Sequence, residues 1–129
     1  DQSVNNEVFC NVVKEVTGVK KVVNYYGMVE QTGSIFLECE AGHFHCSNFS
    51  DVLTRNKDFA VCRFGEVGIL QLVSPLATSY PGHNILSEDS GVIIGEDDCS
   101  CGKNGKYFNI HGRLKDADVR GCSDAYVER

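Results

Sequence analysis

Short apolar runs set apart by glycine and polar turns constrain this chain more than any other feature: GSIFLE at 33–38, FAVCRF at 59–64, GILQLV at 68–73, GVII at 91–94 and KYFNI at 106–110. Each has the length of a strand, and several strands at short intervals describe a mostly β unit that closes toward a small distorted barrel. One segment breaks the pattern. Over 3–17, SVNNEVFCNVVKEVT, residues Val4, Val8, Phe9, Val12, Val13 and Val16 recur at helical spacing, with Ser3, Asn5 or Asn6 available as a cap and Gly18 as the stop. The spacing predicts an amphipathic helix with Cys10 as a small core residue. VKKVVNYY, 19–26, reads as a strand entering a turn at Gly27, and NFSDVLTRN, 48–56, fits a short helix or a strand equally well. The strongest turn signal is Ser79-Tyr80-Pro81-Gly82-His83-Asn84. The fold class that follows is α+β, mostly β, with one N-terminal helix.

A chain of 129 residues makes one domain with one core. No apolar run approaches the roughly 20 residues that span a bilayer, and the amino end lacks the basic and apolar regions of a signal peptide. A net charge of −6 excludes general nucleic-acid binding, which needs clustered Lys and Arg. Seven cysteines make an odd count, and with histidines among them they favour metal or thiol chemistry in a reducing cytoplasm over a disulfide framework.

Four clusters could carry chemistry. In NYYGMVEQT, 24–32, a strand delivers Tyr26, Gly27 and Glu30 to one edge, where a ring can stack on a base and a carboxylate can hold a hard cation; a buried tyrosine and a solvated Glu30 are the plain alternative. In Ser87-Glu88-Asp89-Ser90-Gly91 a carboxylate on a short turn can accept from both hydroxyls of a ribose, or simply face water. Cys39 with His45 or His43 in ECEAGHFHC, and Cys99 with Cys101 in DDCSCG, supply the two close pairs that tetrahedral zinc takes. The Cys-x-Cys spacing is tighter than the usual pair and reduced, unligated thiols in turns are the plain alternative, yet so polar a turn is a poor place to bury cysteine for packing alone. The fourth cluster joins HGRLKD, 111–116, to RGCSD, 120–124: Arg113 after a strand can reach a sugar or phosphate, and Cys122, near Arg120 and Gly121, has the setting of an activated thiol, opposed by Asp124, with an ordinary surface thiol as the plain alternative.

Read in order, YYGMVEQTG, GEVGILQL, SEDSG and HGRLK resemble the adenylate-forming superfamily of acyl and aryl ligases over roughly residues 22–124. Within it the chain most resembles the acyl-protein synthetases of bacterial luminescence systems, through SYPGH, DCSCG and above all RGCSD, and after them the phenylacetate–coenzyme A ligase group. The resemblance implies that this unit is part of the large domain of an adenylate-forming enzyme. It implies Tyr26 and Gly27 in an adenine pocket, Glu30 assisting Mg²⁺, Asp89 on the ribose hydroxyls, Arg113 on the ribose, Lys115 at the hinge position and Cys122 as the acceptor of an acyl group. The reaction implied is ATP-dependent activation of a fatty acid and its transfer to a cysteine as a thioester, with an acyl reductase as a partner protein.

The resemblance also predicts parts that these residues lack. No Ser/Thr/Gly-rich phosphate loop precedes the aromatic-Gly motif, and no domain with a catalytic lysine follows the hinge, so residues 1–129 are expected to be the C-terminal piece of a longer chain with little activity alone. Lys115 stands where Asp is common in such enzymes. The other classes to weigh are a coenzyme A ligase fragment and a zinc-stabilised binding module in which Cys122 has no chemistry.

Overall fold

The computed structural model describes residues 4–115. The helix is α1 (Asn6–Thr17), and the strands are β1 (Tyr25–Tyr26), β2 (Phe36–Glu38), β3 (Phe44–His45), β4 (Asp51–Arg55), β5 (Val67–Val73), β6 (Asn84–Glu96) and β7 (Lys106–Arg113). All seven strands join one antiparallel sheet in the order β1-β2-β3-β7-β6-β5-β4, curled into a half-barrel. A mostly β unit with one helix is therefore what forms. No helix among the described residues is long and apolar enough to cross a membrane.

Period-two alternation builds the core. Val52 and Thr54 on β4 and Leu70 and Leu72 on β5 turn inward, while their neighbours remain partly exposed. They meet Phe36, Ile93 and Phe108, whose two rings pack edge to face at 5.3 Å. β6 and β7 slip register at Ser90/Gly91 and again at Ile93/Gly95, the bulges that bend a long hairpin into a barrel wall. A Cβ on Gly91 would stand 2.5 Å from the Asn109 carbonyl and 2.9 Å from Leu70 Cδ2. Gly91→Ala is thus expected to destabilise the fold by about 1–3 kcal/mol, read as an earlier denaturation midpoint; an unchanged midpoint would show that the β6–β7 wall can yield there.

Four local expectations are corrected. α1 forms as expected, with Asn5 Oδ1 accepting from Glu7 N at 2.8 Å and Gly18 N donating to Lys14 O at 2.9 Å. It buries none of its residues, however, so Cys10 is half exposed rather than part of the core. Helical spacing sets an apolar stripe but does not supply something to cover it. The 19–26 run pairs only at Tyr25–Tyr26, because its partner β2 is three residues long. Residues 59–64 form no strand: Asn56 Oδ1 takes the backbone N–H groups of Asp58 and Ala60, which a ladder would need, and only Val61 bridges back to Arg55. The Ser87–Gly91 segment is no turn but lies inside β6, and the undecided 48–56 stretch contains β4.

Candidate functional site

Three distant parts of the sequence meet in a cleft of about 530 Å³, lined by Gly27, Met28, Val29 and Glu30 after β1, by Ile85 to Asp89 on β6, and by Arg113 at the end of β7. Sheet register makes the meeting: Asp89 sits directly opposite Arg113. The Arg113 guanidinium pairs with Glu88 at 3.1 Å, and Leu114 N donates to the Glu88 carbonyl at 2.8 Å. Gly27, Glu30, Asp89 and Arg113, all singled out from the sequence, line this one cleft.

Tyr26 is placed differently. Its ring packs in the core against Phe36 and Phe108, at 6.0 and 6.3 Å, and only its hydroxyl reaches the site, donating to Asp89 Oδ2 at 2.7 Å. Burial, then the hydrogen bond to Asp89 and that residue's charge, push the phenol above its ordinary value, so at neutral pH Tyr26 is a donor that orients Asp89. Lys115 is exposed and does not line the cleft. Cys122 lies outside the described residues.

Glu88, quoted within the acidic pair, received no role from the sequence. Strict alternation would send Glu88 and Asp89 to opposite faces, yet both line the cleft, close to the register slip between Ser90 and Gly91. Ser87 supports them from below, its hydroxyl donating to Leu70 O at 2.9 Å and accepting from Asp89 N at 3.1 Å.

The second cluster stands at the other end of the β6–β7 hairpin. Cys39 closes a turn in which its N–H takes the His43 carbonyl at 2.8 Å, and Cys99 closes another in which Gly102 N donates back to it at 2.9 Å. Because His45 on β3 pairs with Tyr107 on β7, the two turns lie side by side. Ligand atoms of Cys39, His45, Cys99 and Cys101 fall within 4.8 Å of one another. Cys39 Sγ is 4.0 Å from Cys99 Sγ, and Cys101 Sγ is 3.4 Å from His45 Nε2. Tetrahedral zinc, with bonds of about 2.3 Å to sulfur and about 2.0 Å to nitrogen, needs separations of about 3.5–3.8 Å between such atoms. The cluster could therefore hold a metal such as zinc.

The choice left open between two histidines is resolved by geometry. His43 Nδ1 is engaged by Asn109 Oδ1 at 2.9 Å, whereas His45 is buried among the thiols, with its ring stacked on Tyr107 at 5.7 Å. Burial first, then the charges of Lys103 and His43, lower the His45 pKa, which favours the neutral imidazole that binds metals. Burial opposes charge on Cys39, but hydrogen bonds from the His43 and Ala41 backbone and from the Cys101 and Cys99 thiols outweigh it and hold that thiol below its ordinary value. For Cys99 a backbone bond from Cys101 is outweighed by burial and by bonds to Cys101 and Cys39, so its thiol is raised. Cys46 stands apart: burial, then the charge of Asp51, push its thiol up to about 12, leaving it an inert packing residue.

Compared with protein-family models, the chain matches the one described as acyl-protein synthetase, LuxE, over residues 1–129. A search of the curated proteins finds no match.

Proposed function

The chain belongs to the acyl-protein synthetase family, and from that premise we propose that it carries the nucleotide-binding half of a ligase that activates a fatty acid with ATP and passes it to its own cysteine. In the first step a carboxylate oxygen of the fatty acid attacks the α-phosphorus of ATP and pyrophosphate leaves. In the second the Cys122 thiolate attacks the acyl carbonyl, AMP leaves with the bonding pair, and a thioester remains on the protein. A thioester is the substrate class that an acyl reductase consumes, so such a reductase is the partner expected. We place the reaction in the cytoplasm, where thiols such as those of the Cys39 cluster stay reduced.

The observation that carries this reading is the convergence of Gly27, Glu30, Asp89 and Arg113 on one cleft, from positions up to 86 residues apart in the numbering (113 minus 27). Asp89, fixed by the Tyr26 hydroxyl, accepts from the ribose hydroxyls. Arg113, already tied to Glu88, contacts the same sugar. Glu30 assists the Mg²⁺ that accompanies ATP, Gly27 lines the adenine pocket, and Lys115, two residues past Arg113, sits at the hinge. The Cys39–His45–Cys99–Cys101 cluster holds a structural zinc that pins the β2–β3 hairpin to the β6–β7 loop.

Asp89→Asn is the informative variant, because an amide oxygen still accepts from Tyr26 whereas Asp89→Ala leaves that part-buried hydroxyl without its acceptor. In the intact enzyme it is expected to weaken ATP binding by about 1–3 kcal/mol, measured by calorimetric titration, with little change in melting temperature. An unchanged affinity would remove Asp89 from the site.

A further inference from the structure

The SYPGHN turn, prominent in the sequence, has no part in the function described so far. It lies against the 3-10 turn Val29–Gln31, the segment that carries Glu30 into the cleft. The Tyr80 hydroxyl donates to the Glu30 carbonyl at 2.5 Å, with the Val29 carbonyl at 3.4 Å. Gln31 grips the same turn from inside: fully buried, its Nε2 donates to Leu72 O at 3.2 Å and to Gly82 O at 2.9 Å. A Cβ on Gly82 would stand 2.7 Å from the Glu30 carbonyl and 2.5 Å from the Tyr80 ring, so glycine is what permits the two segments to approach this closely.

The Gln31 amide comes at a cost, since its Oε1 is buried with no partner among the described residues. An orphaned buried acceptor of this kind destabilises the fold, and an apolar side chain of similar length would avoid it. What the amide does that an apolar chain does not is tie the Glu30 turn at once to β5 and to the 79–84 turn.

We propose that Tyr80, Gln31 and Gly82 form a positioning clamp that sets where the Glu30 carboxylate stands in the cleft, and through it how readily the enzyme takes the divalent cation of its nucleotide. The clamp rests on the reading that Glu30 assists Mg²⁺. Neither Tyr80 nor Gln31 lines the cleft, so both act through Glu30 and its turn.

The test is ATP–pyrophosphate exchange by the intact enzyme, titrated with Mg²⁺. Tyr80→Phe deletes only a hydroxyl from a partly exposed ring, and Gln31→Met removes the buried amide at similar length; melting temperature checks that each variant folds, and Tyr80→Phe alone suffices if the second does not. Each is expected to raise the Mg²⁺ needed for half-maximal exchange by about 3- to 10-fold, which is what losing one hydrogen bond of ordinary net strength converts to. The KM for ATP at saturating Mg²⁺ is expected to stay within about twofold, the margin within which uncoupled sites behave independently. Glu30→Gln should raise the Mg²⁺ requirement by itself, and Tyr80→Phe added to it should raise it no further. If Glu30→Gln shifts the requirement and the clamp variants do not, the clamp is overturned while the Glu30 reading stands. If Glu30→Gln shifts nothing, the Glu30 reading falls and the clamp with it. A rise in KM for ATP equal to the rise in Mg²⁺ requirement also overturns the proposal, because it marks a general loosening of the cleft.

Discussion

Protein purified without chelator is expected to carry about one zinc per chain, and Cys99→Ser to release it. The four ligand atoms already lie within 4.8 Å of one another, so little of the free energy of binding is spent on gathering the site and most appears as stability of the fold. Losing one ligand of four is expected to cost about 3 kcal/mol or more, a fall of about 10 °C or more in melting temperature for a domain of this size. His45→Ala should behave like Cys99→Ser, whereas His43→Ala should keep the metal, because His43 is committed to Asn109. Cys62→Ser, in the irregular segment after β4 and outside the cluster, is the control that keeps both metal and stability. Elemental analysis that finds no zinc, or zinc that survives His45→Ala but not His43→Ala, would overturn the assignment.

Cys122→Ser is expected to abolish protein-bound acyl label while leaving activation intact. Incubated with ATP and radiolabelled fatty acid, the complete enzyme should acquire label that neutral hydroxylamine releases, as it does from a thioester. The serine variant should still exchange pyrophosphate into ATP, because adenylate formation precedes thiol attack, yet should hold no label, since an unactivated hydroxyl is a far poorer nucleophile than a thiolate. Cys46 cannot substitute, with its thiol held protonated by burial. Hydroxylamine-sensitive label that persists in the variant would put the acceptor elsewhere, and label that appears only on added coenzyme A would make the enzyme a coenzyme A ligase. A protein that binds zinc and forms no adenylate at all would be the binding module.

Much of the site was legible because its chemistry depends on residue type. Carboxylates, thiols and glycines at such spacings have few substitutes in chemistry, so Gly27, Glu30, Asp89 and Arg113, which line one cleft, and the Cys39, Cys99 and Cys101 thiols, which gather in one cluster, stand out in a linear reading. The residues that escaped it act through position. Gln31, Tyr80 and Ser87 are ordinary polar residues whose importance lies in which backbone carbonyl they reach, and those carbonyls belong to segments 17 to 51 residues away.

The local patterns determined by themselves that α1 starts at an Asn cap and stops at Gly18, that the apolar runs at 33–38, 68–73, 91–94 and 106–110 hold strands, and that the family is one of acyl-protein synthetases, since capping, alternation and motif order are properties of neighbours in the chain. Only the tertiary structure decided how those strands pair. Register in a sheet is set by which inward faces fill the core together, so it alone put Asp89 opposite Arg113, carried Glu88 to the same side, turned the Tyr26 ring into the core with its hydroxyl on Asp89, and chose His45 over His43. The same reason explains the failures at Cys10 and at 59–64. A helical stripe and an apolar run each state a capacity to be buried or paired, and whether anything arrives to bury or pair them is settled by the rest of the fold.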